Sequence, residues 1–369
     1  MFITGSNLAT KSVDPTVFFT PDEVARASAY HRPLYVALAG DVALTTLVTA
    51  VLAFSWLGDR LYDATGGPWW ARTLLYTLPV LLVLDLVRLP LGFWRGFLRE
   101  RRWGFSTQSA GSWALDHVKG FLVGVVLTAA ALVALIGSTH VFPTWWPLLA
   151  VVGACVLVLL LVFVAPVVLE PIFNRFEPLD DRELAGALRA LADRAGVPVR
   201  DVLVADASRR TTKHNAYVSG IGSTRRVVVF DTLLGEAEQR ELEVVVAHEL
   251  GHRRHRDIAK GTALAMASAT IAVLVAWALD PTPRHIPLLL LVWGLLEVAA
   301  LPSSAAISRR FERRADRFAL DLTHDPGAFE KVFRRMAKAN LSDLDPPRLV
   351  YAFLFTHPTP VERLAAAAS

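Results

Sequence analysis

The sequence predicts a mostly α-helical, polytopic membrane bundle of about six spans that carries a polar, water-facing segment with a small β-sheet. Three observations lead there. The chain of 369 residues is 53% hydrophobic, and its apolar residues cluster into long runs almost free of charge rather than short amphipathic stretches. Arginine is distributed unevenly between the loops that join those runs. One long polar stretch, 170–260, interrupts them and has the mixed patterning of an α/β unit.

A membrane helix needs about 20 mostly apolar residues. Six runs qualify, at 34–57, 73–94, 118–137, 145–169, 261–279 and 286–301. The residues before the first run are polar, so no short apolar core follows Met1 and no signal peptide is expected. The loop between the second and third runs carries Arg95, Arg99, Arg101 and Arg102, whereas 138–144 holds no Lys or Arg. The remaining outer loops carry only Arg60, Arg72 and Arg284. By the positive-inside rule both termini, the arginine loop and the 170–260 segment are cytoplasmic. The net charge of +4 then belongs to basic loops beside anionic lipid, and no nucleic-acid-binding signature accompanies it. Cys155, the single cysteine, excludes an intramolecular disulfide and a cysteine-built metal site.

Within the polar segment, 181–196 has helical apolar spacing (Leu184, Leu188, Leu191) and stops at Gly196 and Pro198. The runs 199–205 and 226–230 have strand character, with a turn at 219–222. A strong helix covers 236–257, and two amphipathic helices follow the last span at 304–322 and 326–340. The chain therefore divides into a four-span region (1–169), an α/β segment (170–260), two further spans (261–302) and C-terminal helices (303–369).

The strong helix contains His248-Glu249-Leu250-Gly251-His252. Residues four apart on a helix differ by about 40° in azimuth and about 6 Å in rise, so both imidazoles face one point. At that separation two nitrogens each reach one zinc ion. Glu249, about 100° further round, stands beside the attacking water and serves as general base, then acid. A catalytic zinc also needs a third protein ligand. His255 lies about 10 Å along the axis from His248, too far to share the ion. Ile258 occupies the place of a third histidine in the longer motif. Glu312 is the better candidate, and Glu297 the other acid at hand lies in a predicted span. Asp316 shares a helix face with Glu312, suited to orienting a ligand imidazole. On the residues alone, that stretch also reads as a surface helix with Glu–Arg pairs.

These features resemble the type I CAAX prenyl endopeptidases, integral-membrane zinc proteases with a gluzincin-type peptidase domain. The resemblance rests on 248–252, on Phe311-Glu312-Arg313-Arg314-Ala315-Asp316, on 213–220 followed by 227–234, and on the stretches 101–106 and 171–179. It implies that His248, His252 and Glu312 bind one zinc ion and that Asp316 orients a ligand histidine. It further implies that Asn215 bonds substrate backbone, that His357 stabilises the oxyanion, and that 227–230 is the edge strand that aligns a peptide. The implied substrate is a peptide or protein, in this family a prenylated one, met at the lipid bilayer. Two departures stand out: six spans rather than the seven of eukaryotic members, and Arg253 where an aromatic residue often follows the second histidine. Asp41, Asp85, Arg88 and Glu297 fall within predicted spans, as a wet internal chamber would explain, and Asp85 and Arg88 read most simply as a pair. The preponderance of arginine over lysine points to a bacterial source. Rival readings are a quality-control protease of membrane proteins and, in another class, a transporter or channel with a regulatory metal site. The latter requires inverted repeats, and none is seen.

Overall fold

The computed structural model describes residues 13–220 and 222–368. Helix α1 (Pro21–Phe54) starts well before the apolar run, because Thr20 and Glu23 form a capping box and Pro21 occupies the first turn. A short α2 (Trp56–Asp63) follows. Next, α3 (Trp69–Phe93) continues through a π turn, Trp94–Leu98, into α4 (Arg99–Arg102). After α5 (Ala110–Val141), α6 (Trp146–Val164) passes through a second π turn into α7 (Glu170–Phe173). Two further long helices, α11 (Asp257–Ala278) and α12 (Ile286–Thr323), complete the bundle. Among the described residues, six continuous helical stretches are long and apolar enough to cross a membrane, as expected. The most apolar stretch of Trp146–Phe173 has no buried residue, as a lipid-facing helix requires.

Between α7 and α11 lie β1 (Phe176–Pro178), α8 (Arg182–Arg194), β2 (Asp201–Ala205), β3 (Ala216–Ser219), β4 (Arg226–Phe230), α9 (Asp231–Leu234) and α10 (Gln239–Arg254). Asp181 caps α8 by accepting from the Glu183 and Leu184 amides. The sheet order is β1-β2-β4-β3, with β2 and β4 parallel and both outer strands antiparallel. Its core joins Val227 and Val229 to Leu188 and Leu191 of α8 and to Leu242, Val246 and Leu250 of α10. Phe329 and Val332 of α13 (Pro326–Ala339) close it from the other side. Helices α14 (Arg348–Leu354) and α15 (Pro360–Ala367) end the chain.

Four expectations are corrected. The strand 227–230 is interior: β4 pairs with β2 on one side and β3 on the other, which leaves β3 as the edge next to α10. Its four residues are too few to stand out from the flanking loop by pattern. The predicted helix 236–257 ends at Arg254, where Arg256 turns left-handed (φ 57°) and α11 begins at Asp257. The sixth span and the helix 304–322 are one 38-residue helix, α12, with Pro302 inside it. Finally, Arg88 and Asp85 do not pair. Arg88 makes a bidentate pair with Asp41 of α1 (2.8 and 2.8 Å), and Asp85 faces His117 of α5 at 3.2 Å. A fork-to-fork pair across helices satisfies two donors and two acceptors at once.

Candidate metal centre

The site is built where α10 crosses α12. Gly251 makes the close crossing possible: a Cβ there would stand 3.1 Å from the Phe318 ring and 3.2 Å from the Ala315 Cα. That crossing brings Glu312 of α12 to the two histidines of α10. His248 Nε2 and His252 Nε2 are 3.2 Å apart; His248 Nε2 lies 3.3 Å from Glu312 Oε2 and His252 Nε2 lies 3.3 Å from Glu312 Oε1. Two ligands about 2.05 Å from zinc at the tetrahedral angle stand about 3.3 Å apart, so each of these separations is one that two ligands of a single ion span. Among the described residues, these three side chains form the group of His, Cys and acids whose ligand atoms lie within 4.8 Å of one another. Glu312 and His248 are buried, and the Glu312 carboxylate is ringed by imidazoles, with Oε2 2.7 Å from His357 Nδ1 and 3.3 Å from His248 Nε2. Such a carboxylate fits a metal better than it fits a purely structural role.

Each histidine has a carboxylate behind its other nitrogen. His248 Nδ1 lies 2.9 Å from Asp316, and His252 Nδ1 lies 3.1 Å from Asp257. That arrangement fixes the tautomer so that Nε2 faces the centre. Asp316 is in turn clamped by Arg363, whose guanidinium lies over the Phe333 ring at 3.6 Å. Asp257 receives Arg314 and lies 3.6 Å from Lys260. Burial alone would push His248 down, but hydrogen bonds to Asp316 and then Glu312 outweigh it and hold the imidazole up at about 9. His252 is raised in the same way, chiefly by Glu312 against its burial.

Asp316 lies on α12 one turn beyond Glu312, on the far side of the His248 ring from the centre. Glu249 is half-buried on the next helical position. His357, in the loop before α15, stands 2.7 Å from Glu312 with its side chain 60% exposed. Asn215 is exposed at the start of β3, where its Oδ1 accepts from the Ala216 amide. His255 caps α10 and packs edge-on against Phe318, away from the centre. Asp257 and Arg363 were not singled out in the sequence. Asp257 follows a helix break that apolar periodicity does not reveal, and Arg363 comes from a distant helix.

A family model described as peptidase family M48 matches residues 178–369. The Bacillus subtilis protein named uncharacterized metalloprotease YhfN is 31% identical over 98% of this chain and 91% of its own length. The chain belongs to peptidase family M48. A second model, the CAAX prenyl protease N-terminal region with five membrane helices, matches residues 18–175, where this M48 chain has four of its long apolar helices. CAAX prenyl protease 1 of Saccharomyces cerevisiae is 28% identical over 76% of this chain and 68% of its own. The crystal structure of S. mikatae Ste24p has the same fold, with a TM-score of 0.85 over 98% of this chain and 93% of that one, at 23% identity. This M48 protein is an integral, multi-pass membrane metalloendopeptidase whose substrates are peptides or proteins.

Proposed function

We propose that His248, His252 and Glu312 bind one zinc ion and that Glu249 is the general base and acid of peptide hydrolysis. The convergence of two imidazole nitrogens 3.2 Å apart on the Glu312 carboxylate, one facing each of its oxygens at 3.3 Å, carries this reading. Zinc, when bound, lowers the pKa of water and polarises a carbonyl. Histidine and carboxylate ligation favours it over harder ions. Glu249 accepts a proton from the attacking water and delivers it to the leaving amine. Asp316 and Asp257 hold the two imidazoles in register, Asn215 bonds substrate backbone beside the edge strand, and His357 supports the developing oxyanion. An extended peptide adds to β3 rather than β4.

The substrate we propose is a lipidated polypeptide cut near its C-terminus, in keeping with the family resemblance and with a yeast relative named CAAX prenyl protease 1. The site faces the cytoplasm of a bacterial cell. In support of that orientation, the arginine loop packs on the α/β segment: Lys213 pairs with Glu100 at 2.6 Å, and Thr212 N–H donates to Phe105 O at 3.0 Å. The beginning of α1 lies on the same side, through Lys338 to Glu23 at 2.7 Å.

The test compares the detergent-purified protein with Glu249→Gln for bound zinc and for cleavage of matched prenylated and unprenylated peptides. We expect equal zinc in both and a loss of about 10²–10⁴-fold in kcat in the variant. A preference for the prenylated peptide supports lipid recognition, whereas equal rates favour quality control. Zinc-free, folded wild-type protein would refute the metal assignment.

A further inference from the structure

Arg253 follows His252 on α10 and makes no contact ion pair among the described residues. It lies one helical turn beyond Glu249 and is half-buried. No carboxylate among the described residues is within ion-pair distance of it. Its hydrogen-bond partner is the carbonyl of Val218, to which Nη2 donates. Arg99 and Arg309 also rest on carbonyls, but each makes two such bonds, whereas Arg253 makes one, and its fork of five donors suits a carboxylate.

The carbonyl that Arg253 touches belongs to the free edge of the sheet. Phe230 N–H donates to Asn215 O at 3.0 Å, and Tyr217 pairs with Val228 two residues on. Antiparallel pairs alternate, so the backbone groups of Asn215, Tyr217 and Ser219 turn toward β4. Those of Ala216 and Val218 turn outward, to the side where an added strand lies. Two of these outward groups are already occupied, the Ala216 amide by Asn215 Oδ1 and the Val218 carbonyl by Arg253. The Ala216 carbonyl and the Val218 amide face the same edge. Arg253 thus sits in line with the added strand, opposite Val218.

We propose that Arg253 is a specificity residue that binds a carboxylate of the substrate strand as it docks on β3. The carboxylate comes from an acidic side chain at one position or from the free C-terminus. The inference rests on the peptidase reading above and deepens it by naming what one subsite accepts. A charge-assisted pair at a half-buried arginine corresponds to about a tenfold or greater gain in kcat/KM.

The experiment uses the full chain in detergent and one cleaved parent peptide. Asp, Asn or Lys is placed in turn at each position around the scissile bond, and the C-terminus is presented as acid or amide. We expect the wild type to prefer one carboxylate over its amide isostere by about tenfold or more. Preference at one Asp position identifies a side chain, and preference for the free acid identifies the C-terminus. Arg253→Gln abolishes that ratio, Arg253→Lys restores part of it, and Arg253→Glu shifts it toward lysine. The ratio is internal to each variant, so it is insensitive to a general loss of activity, and bound zinc reports folding. A wild type without carboxylate preference, or a ratio unchanged in Arg253→Gln, would overturn the proposal while leaving the peptidase reading intact. Failure of the wild type to cleave any peptide would overturn both.

Discussion

Replacing Asp257 by Asn tests whether the carboxylate behind His252 tunes the metal. The side chain is buried, and its Oδ2 lies 3.1 Å from His252 Nδ1. The amide keeps the shape and one acceptor but removes the charge that makes the imidazole a better ligand. Changes of this kind weaken metal affinity by about 10–100-fold, or about 1.4–2.7 kcal/mol. Arg314 and Lys260 share the Asp257 carboxylate and already offset part of its charge, so the lower end of the range is expected. Zinc affinity would be measured on the full chain by competition with a chromophoric chelator at fixed pH, with exposed Asp321→Asn as the control. A dissociation constant for Asp257→Asn matching the control would refute the argument that this carboxylate acts through His252.

Three further outcomes follow from the same geometry. His248 is raised from its ordinary 6.5 to about 9 in the metal-free protein, and metal requires the neutral imidazole. Apparent zinc affinity is therefore expected to rise about tenfold per pH unit between about 7 and 9. The proton on His248 stabilises the metal-free fold below its unfolded pKa, and that contribution is lost as pH rises through about 9. Thermal melts of the chelator-treated protein should thus fall in Tm across that window, and a flat profile would contradict the assignment. At the helix crossing, Gly251→Val places carbons against Phe318 and Ala315. Overpacking costs about 1–3 kcal/mol and moves Glu312 away from the histidines, so both Tm and bound zinc should drop together. Retention of full zinc by a folded Gly251→Val would show that the crossing does not set the ligand geometry.

Local chemistry was legible in the sequence. The i, i+4 histidines converge because of helix geometry alone, and the six apolar runs announce spans because length and hydropathy are properties of each segment. Helix starts such as Asp181 before α8 and Pro326 in the first turn of α13 likewise depend on neighbours within a few residues. What the sequence left open required distant segments to meet. Whether Glu312 or Glu297 joins the histidines depends on where α12 crosses α10, and Gly251 and Ala315 set that crossing. Asp257 reaches His252 only because Arg256 adopts a left-handed turn between two helices. The partners of Arg88 and Asp85 are chosen by α1 and α5 rather than by their own helix. Sheet order gives an outer position to β3, whose pattern is too short to read, and so decides that β3 rather than β4 has an edge open to an added strand. Periodicity and spacing report the energy of a residue within its own element. Packing between elements comes from many weak contacts over long sequence separations, and only the folded chain brings them together.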